Sequence, residues 1–290
     1  MRRILITGAH SYIGTSFWKY MAQWAERYKI DTVDMVDGKW REMSFAGYGS
    51  VFHVAGIAHQ DSGRITEERK QQYFSVNTDL AIETATKAKA DGVKQFIFMS
   101  SIIVYGAGGR LGKTKVINKD TKPSPEGAYG FSKLKAEEGI QPLNDNSFHV
   151  CILRPPMIYG PGCKGNYTLL AKAALKLPIF PDIKNERSML FVHNLCTYVK
   201  GLVDSGSSGL FFPQNKEYVS TSDMVLRIAL AHGKKIRMTK MFNPLLRLLS
   251  GKLSVVDKVF GNLVYEQTDA SMQLVSFEES IKMTESGRSA

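Results

Sequence analysis

Short apolar runs that end in small residues, alternating with segments of helical period, predict an α/β fold. The expected architecture is a doubly wound parallel sheet with a smaller C-terminal lobe. Two observations carry this. Residues 3–7, 30–35, 50–56 and 95–101 read as buried strands, and each is followed by a turn or by helix-forming sequence. Past Gly160 the composition shifts to loop-like and short-helix segments. The expected division is 1–160 for the sheet domain and 161–290 for the lobe, with the chain returning to the first domain around 187–204.

Composition sets the bounds. The chain has 290 residues, 43% hydrophobic and 22% charged, enough for a sizeable core. It holds no apolar run of 18 residues, so no spanning helix is expected. The start at Arg2-Arg3-Ile4-Leu5-Ile6 is too short for a signal sequence. Cys151, Cys163 and Cys196 are odd in number and lack metal-ligand spacing. They read as structural thiols in a reduced, cytoplasmic setting, with no metal site. The net charge of +11 can draw anionic nucleotides or an acidic surface. The cations are scattered, which argues against specific nucleic-acid binding.

The first strand, Arg3-Ile4-Leu5-Ile6-Thr7, runs into Gly8-Ala9-His10-Ser11-Tyr12-Ile13-Gly14 and then a helix expected to reach Tyr28. Strand, glycine turn and helix form the setting of a dinucleotide loop, in a Rossmann-type sheet. Gly8 allows the tight turn and Gly14 close helix–strand packing. The helix N-terminus offers N–H groups to a pyrophosphate. Ser11 stands where a middle glycine is usual and is expected to narrow the approach of phosphate.

The second strand, 30–35, holds Asp34, 20 residues past Gly14, where an acid can take ribose hydroxyls. That favours NAD. Lys39 and Arg41 follow and could reach a 2′-phosphate, so NADP stays open. Ala55 and Gly56 end the third strand and would let a cofactor lie across it. A helix is expected to open at Val76-Asn77-Thr78 and run to about Ala90. The fourth strand ends at Ser100-Ser101, with Ser101 placed to hydrogen-bond a substrate oxygen.

Tyr129-Gly130-Phe131-Ser132-Lys133 opens a helix after Pro123 and Pro125. Tyr129 and Lys133 are one turn apart on one face. A phenol has a pKa near 10, and a neighbouring ammonium is expected to lower it.

Four stretches now stand in order: Thr7-Gly8 to Gly14; Ser100-Ser101 with Val104-Tyr105-Gly106; Tyr129 to Lys133; and Arg154-Pro155 with Tyr159-Gly160-Pro161. Together they resemble the extended short-chain dehydrogenase/reductase superfamily, and within it the NAD-dependent sugar-nucleotide epimerase/dehydratase family. The stretch from Arg187 to Leu195 resembles a later motif of that family. The resemblance covers residues 1 to about 200.

It implies that Ser101, Tyr129 and Lys133 are catalytic: Tyr129 exchanges a proton with a sugar hydroxyl, Ser101 holds the oxygen, and Lys133 lowers the tyrosine pKa and holds the nicotinamide ribose. It implies that Gly8, Ser11, Tyr12, Ile13, Gly14, Asp34, Ala55, Gly56, Asn77, Ser100 and Pro155 line the cofactor. A helix cap is the equal alternative for Asn77. It implies that Asn166 and Arg187 meet a UDP-linked sugar, with Arg187 on the diphosphate; a surface ion pair is the alternative for Arg187. A homodimer is a further expectation of the resemblance.

Ser207–Ser208 to Phe212 reads as a turn into a strand, and Ser222-Asp223 as the cap of the next helix. Residues 244–260 are amphipathic and basic. Packing within the lobe is the plainer reading, and contact with a membrane surface the alternative.

The expected reaction is hydride transfer at C4 of a UDP-hexose, as a 4-epimerase for surface-polysaccharide precursors. The alternative is a 4-keto-sugar reductase. Dehydratase chemistry is disfavoured, because Ile102 and Ile103 stand where an acid–base pair would be needed. An inactive dinucleotide-binding regulator is disfavoured because Tyr129 and Lys133 are both present.

Overall fold

A computed structural model describes residues 1–57, 65–106, 108–267 and 273–287. In chain order its strands are β1 Arg2–Thr7, β2 Tyr28–Val33, β3 Ser50–His53, β4 Gln95–Met99, β5 Thr114–Ile117, β6 His149–Leu153, β7 Met157–Tyr159, β8 Ile179–Pro181, β9 Met189–Phe191, β10 Gly209–Phe211, β11 Arg237–Thr239 and β12 Asn262–Tyr265. Its helices are α1 Tyr12–Met21, α2 Glu67–Phe74, α3 Leu80–Ala90, α4 Gly127–Ile140, α5 Asn166–Lys176, α6 Val192–Ser205, α7 Thr221–Ala231, α8 Asn243–Leu249, α9 Ser254–Phe260 and α10 Phe277–Ser286. The chain divides into two compact units: unit 1 holds Met1–Gly106, Lys122–Pro155 and Cys196–Pro213, and unit 2 holds Ala107–Thr121, Pro156–Leu195 and Gln214–Ala290.

Unit 1 is the expected doubly wound sheet. Six strands run in the order β10-β6-β4-β3-β1-β2, every neighbouring pair parallel. The inner strands are apolar on both faces because helices cover both. On one face Leu5, Val51, Phe96, Phe98, Val150 and Ile152 form a core with Ala81, Ala85 and Ala88 of α3 and Ala136 and Ile140 of α4. Alanine on the helix side permits close helix–sheet approach. On the other face Phe17 of α1 meets Phe52 edge-on, ring centroids 5.1 Å apart. Strand order reverses between β1 and β3, which puts a crevice at their carboxyl ends.

Several boundaries differ from the sequence expectation. α1 stops at Met21 and a 3-10 turn carries the chain to Trp24, because Tyr28 is already buried in β2. β2 therefore ends at Val33, leaving Asp34 just beyond it. The helix expected from residue 76 begins at Glu67, where Thr66 caps it by accepting from Arg69 N. It passes through a π-helical turn, Ser75–Asp79, before α3. Ser220, not Ser222, caps α7 by accepting from Asp223 N.

Unit 2 is built from paired short strands, β7 with β9, β8 with β11 and β12 with β5, beside α5, α7 and α10. Tyr159 and Tyr167 stack 5.4 Å apart. Both hydroxyls are hydrogen-bonded within the core, Tyr159 to Ser280 and Tyr167 to Glu285. The basic stretch expected as one amphipathic segment is two helices, α8 and α9, separated at Ser250–Leu253. No helix among the described residues is long and apolar enough to cross a membrane, and no cluster of metal-ligating side chains occurs among them.

His53 sits in the middle of the sheet, 1% exposed, stacked on Phe96. Nδ1 is hydrogen-bonded to Thr7 Oγ1 at 2.9 Å, and Nε2 has no partner among the described residues. Burial, then the Lys133 charge, push its pKa down to about 3. Between about 3 and its ordinary 6.5 the unfolded chain binds a proton that the folded chain refuses, so stability falls as pH falls through that window. We expect His53→Phe to be less acid-sensitive than wild type. The difference in unfolding free energy should shift toward the variant by up to about 1.4 kcal/mol per pH unit below 6.5. Parallel urea titrations would overturn this if the two proteins keep a constant difference.

Candidate active site

The glycine turn after β1 is pinned on both sides. Gly8 N donates to Val33 O (2.9 Å), and Val54 N donates to Thr7 O (3.3 Å). Gly8 has φ +89°, and a Cβ there would lie 2.9 Å from the backbone N of Ala55. Only glycine serves at this crossing. Ser11 caps α1: its Oγ accepts from Gly14 N at 3.0 Å, with ordinary extended backbone. The narrowing expected of Ser11 therefore takes another form: one of the first-turn N–H groups is already taken by the chain itself. Tyr12 and Ile13 open the helix.

Asp34 accepts from Val36 N (2.9 Å) and lies 3.7 Å from His10 Nε2. Arg41, expected to reach a 2′-phosphate, is held elsewhere. Its guanidinium grips Glu83 of α3 through Nε (2.5 Å) and a terminal nitrogen (2.6 Å) and lies over the Trp40 ring. Lys39 faces Asp37 at 3.6 Å.

Asn77 is fully buried in the π turn and caps no helix. Its Oδ1 accepts from Ile57 N (2.8 Å), while Nδ2 donates to Ile57 O (3.1 Å) and Ser132 Oγ (3.1 Å). It thus clamps the backbone after Gly56 to α4. A Cβ on Gly56 would lie 3.0 Å from Asn77 Oδ1 and 3.3 Å from Lys133 Nζ, so the backbone passes directly beside both. Ser132 and Thr78 tighten the clamp: Ser132 Oγ donates to Tyr129 O, and Thr78 Oγ1 to Ser132 O.

Ser101 Oγ accepts from Ile103 N and is hydrogen-bonded to Tyr129. Tyr129, Ser101, Lys133, Asn77 and Gly56 are therefore brought together. The electrostatics differ from the expectation. Tyr129 is raised, not lowered: burial raises it, the Ser101 hydrogen bond lowers it, and nearby Tyr73 raises it. The Tyr73 ring lies 5.8 Å away. Lys133 does not offset the burial, because its Nζ donates to Met99 O at 2.9 Å and lies 5.0 Å from the Phe98 ring centroid. Burial brings Lys133 down to about 8, against the opposing pull of Glu137.

Glu137 was not foreseen from the sequence, although it stands one turn beyond Lys133 as Lys133 stands one turn beyond Tyr129. It is 2% exposed and paired with Arg154 of the Arg-Pro motif. Arg154 Nε donates to both carboxylate oxygens (3.0 and 3.1 Å), and a terminal nitrogen reaches the Tyr105 hydroxyl (2.5 Å). Ser100 Oγ donates to Glu137, so Ser100 faces this pair. Pro155 O accepts from Ile102 N (2.9 Å), fixing the turn after Ser101.

Arg187 and Asn166 belong to unit 2, and no hydrogen bond joins them. Asn166 is the exposed first residue of α5. Arg187 is bridged through its backbone to Val219 and Leu263. Its guanidinium donates to the carbonyls of Lys258 (2.7 Å) and Gly261 (3.3 Å), and burial lowers its pKa. No carboxylate pairs with it among the described residues, so it is not a surface ion pair.

A parallel doubly wound sheet, a glycine turn feeding a helix N-terminus, and a Ser–Tyr–Lys group at the strand ends define a dinucleotide-dependent oxidoreductase scaffold. The family model for the NAD dependent epimerase/dehydratase family matches residues 4–209. The chain is 30% identical to a UDP-glucose 4-epimerase of Vibrio cholerae, covering 90% of this chain and 86% of that one. It is 26% identical to an N-acetyl-alpha-D-glucosaminyl-diphospho-ditrans,octacis-undecaprenol 4-epimerase of Escherichia coli O157:H7, covering 79% and 68%. Among solved structures, the UDP-glucuronic acid 4-epimerase of Bacillus cereus in complex with NAD superposes with TM-score 0.73 at 17% identity, over 98% of each chain. The chain belongs to the NAD dependent epimerase/dehydratase family, as an NAD(P)-dependent epimerase/reductase of the extended short-chain dehydrogenase/reductase type.

Breaking the Glu137–Arg154 pair strands a buried charge. Glu137→Ala should cost about 3–5 kcal/mol. Glu137→Leu with Arg154→Met should recover at least half of that loss in urea unfolding. A single variant within 1 kcal/mol of wild type, roughly the value of an exposed pair, would show that the pair is not what holds α4 in place.

Proposed function

We propose that the chain is a UDP-hexose 4-epimerase, which oxidises the sugar at C4 and reduces the resulting ketone on its other face. The observation that carries this is the Ser101–Tyr129 hydrogen bond beside buried Lys133, at the carboxyl ends of β4 and its neighbours. The 30% identical Vibrio cholerae relative is named for this reaction.

The residues fit a dinucleotide. The close crossing of Gly8 over Ala55, where a Cβ would collide, keeps the turn bare of a side chain at this position, just before the α1 N-terminus whose N–H groups suit a pyrophosphate. Gly8, Ser11, Tyr12, Ile13 and Gly14 would hold that group, Asp34 the adenosine ribose, Ala55, Gly56 and Pro155 the body of the cofactor, and Lys133 the nicotinamide ribose. When bound there, the nicotinamide would supply the hydride acceptor and donor that chemistry at C4 needs. Tyr129, once ionised to the phenolate in the cofactor-loaded enzyme, would take the proton of the C4 hydroxyl and give it back, and Ser101 would hold that oxygen through both half-reactions. Asn77 keeps the Gly56–Ile57 backbone from closing on Lys133. Arg187 supplies a cation for a diphosphate, a group common to the substrates for which the two sequence relatives are named.

Tyr129→Phe should fold and bind NADH as wild type does but lose turnover by about 10²–10⁴. More than a tenth of the wild-type rate would remove Tyr129 as the proton carrier. The assay uses UDP-glucose and UDP-N-acetylglucosamine without added reductant. Epimer formation supports the reading. Consumption of NAD(P)H only with a 4-keto sugar would make the enzyme a reductase instead.

For cofactor choice, Arg41 is occupied by Glu83, while Asp34 follows directly on the end of β2. NADH should bind at least about tenfold more tightly than NADPH at fixed salt, since a 2′-phosphate meets repulsion from Asp34. Asp34→Ala should narrow the gap, as should Glu83→Gln, which releases Arg41. Tenfold preference of wild type for NADPH, abolished by Arg41→Ala, would reverse the assignment.

A further inference from the structure

Unit 2 carries an apolar strip that nothing among the described residues covers. Met241, Leu245 and Leu248 follow the i, i+4, i+7 spacing of one helix face and are 72%, 55% and 64% exposed. Leu246 and Leu249, on the other side of α8, are only partly exposed, and no residue of α8 is buried outright. Leu253 and Val255 extend the strip past the turn, at 46% and 61% exposed. A solvated helix would present polar groups on this outward face. Here the leucines point out and the packing contacts are left to half the helix.

The charge around the strip is one-sided. Residues 233–258 hold seven Lys and Arg and one acid, Asp257. That acid is turned to internal work: it accepts from Ser250 Oγ (2.5 Å), Gly251 N (2.7 Å) and, more weakly, Leu111 N (3.4 Å). Lys235, Lys240, Arg247 and Lys252 are exposed. None of the four makes an ion pair among the described residues.

We propose that α8 and its flanking turns, Met241 to Val255, dock on the surface of an anionic phospholipid bilayer. The leucines and methionine would enter the headgroup–acyl boundary while the ring of cations meets lipid phosphates. A second copy of this chain is a poorer occupant. A two-fold contact would set the same cations against one another. An acidic protein would satisfy the cations, but the continuous run of exposed leucine and methionine matches an acyl boundary. This inference goes beyond the catalytic reading and does not depend on it.

The experiment is co-sedimentation of the full chain with phosphatidylcholine vesicles, with and without phosphatidylglycerol, at low and high salt. Binding is expected to the mixed vesicles, to be weak on phosphatidylcholine alone, and to fall with salt. Leu245→Ser with Leu248→Ser should lower the partition coefficient by about tenfold or more. Lys235→Gln, Lys240→Gln and Arg247→Gln together should lower it on the order of a hundredfold, at about fivefold per cation. Both variants alter exposed side chains, so a wild-type melting temperature certifies their folding. Absence of vesicle binding overturns the proposal, as does binding that neither variant weakens. A wild-type oligomer that the leucine variant dissociates, with no vesicle binding, would assign the strip to self-association instead.

Discussion

The buried pair between Glu137 and Arg154 is the constraint on which the placing of Ser101, Tyr129 and Lys133 rests. It joins α4 to the end of β6, and through Ser100 and Tyr105 it reaches the end of β4 and the turn beyond it. Taking two such charges out of water costs several kcal/mol per ion, and the pair repays this only because each partner has further hydrogen bonds. Apolar residues of similar volume would fill the space at less cost. The pair instead fixes register. Ser101 follows Ser100 directly, and Lys133 lies one turn before Glu137. A slip of α4 by one residue would turn Glu137 away from the guanidinium and take Tyr129 away from Ser101.

A second layer of constraint holds the loops. The backbone at Ile57 has both its N–H and its C=O committed to one side chain, Asn77, which leaves that segment little freedom to shift. The π turn supplies Asn77 by widening a helix that would otherwise carry the residue past the loop. Across the crevice, Gly8 crosses Ala55 so closely that no Cβ fits. The strand ends that flank the proposed cofactor groove are thus set by backbone contacts, and the side chains that do chemistry ride on them.

Much of this was legible in the sequence. Strands β1, β3 and β4 were read from apolar runs, and α4 from its composition after Tyr129. Family motifs marked positions without showing what each side chain does in the fold. Tyr105 and Arg154 were read as motif letters and turn out to be partners in one buried network. Asn77 was read as cofactor contact or cap and is a clamp on the backbone. Its π turn has no sequence signature, because the extra residue per turn is selected by tertiary contacts with Ser132 and Ile57. The helix start at Glu67 was missed because Glu, Arg, Lys and Gln give no apolar period, only a capping threonine. Arg41 was read as able to reach a 2′-phosphate, and its pairing with Glu83, 42 residues away, was not visible in the sequence.

The rise of Tyr129 and the fall of Lys133 share one cause. Burial penalises the charged form of each, phenolate and ammonium alike, and the hydrogen bonds of the site relieve the two unequally. Lys133 keeps an acceptor in Met99 O and a carboxylate in Glu137, so its charge survives to about pH 8. Tyr129 is hydrogen-bonded to Ser101, a weaker donor than an ammonium. Raising pH alone therefore removes the lysine proton before the tyrosine proton. It does not produce the phenolate beside an ammonium that proton abstraction requires. Reaching that state would need a further positive charge near the phenol, such as a bound oxidised nicotinamide would supply, so that Tyr129 gives up its proton to solvent before a substrate proton arrives. By opposing the desolvation of Lys133, the buried Glu137 helps keep that ammonium charged through the neutral range.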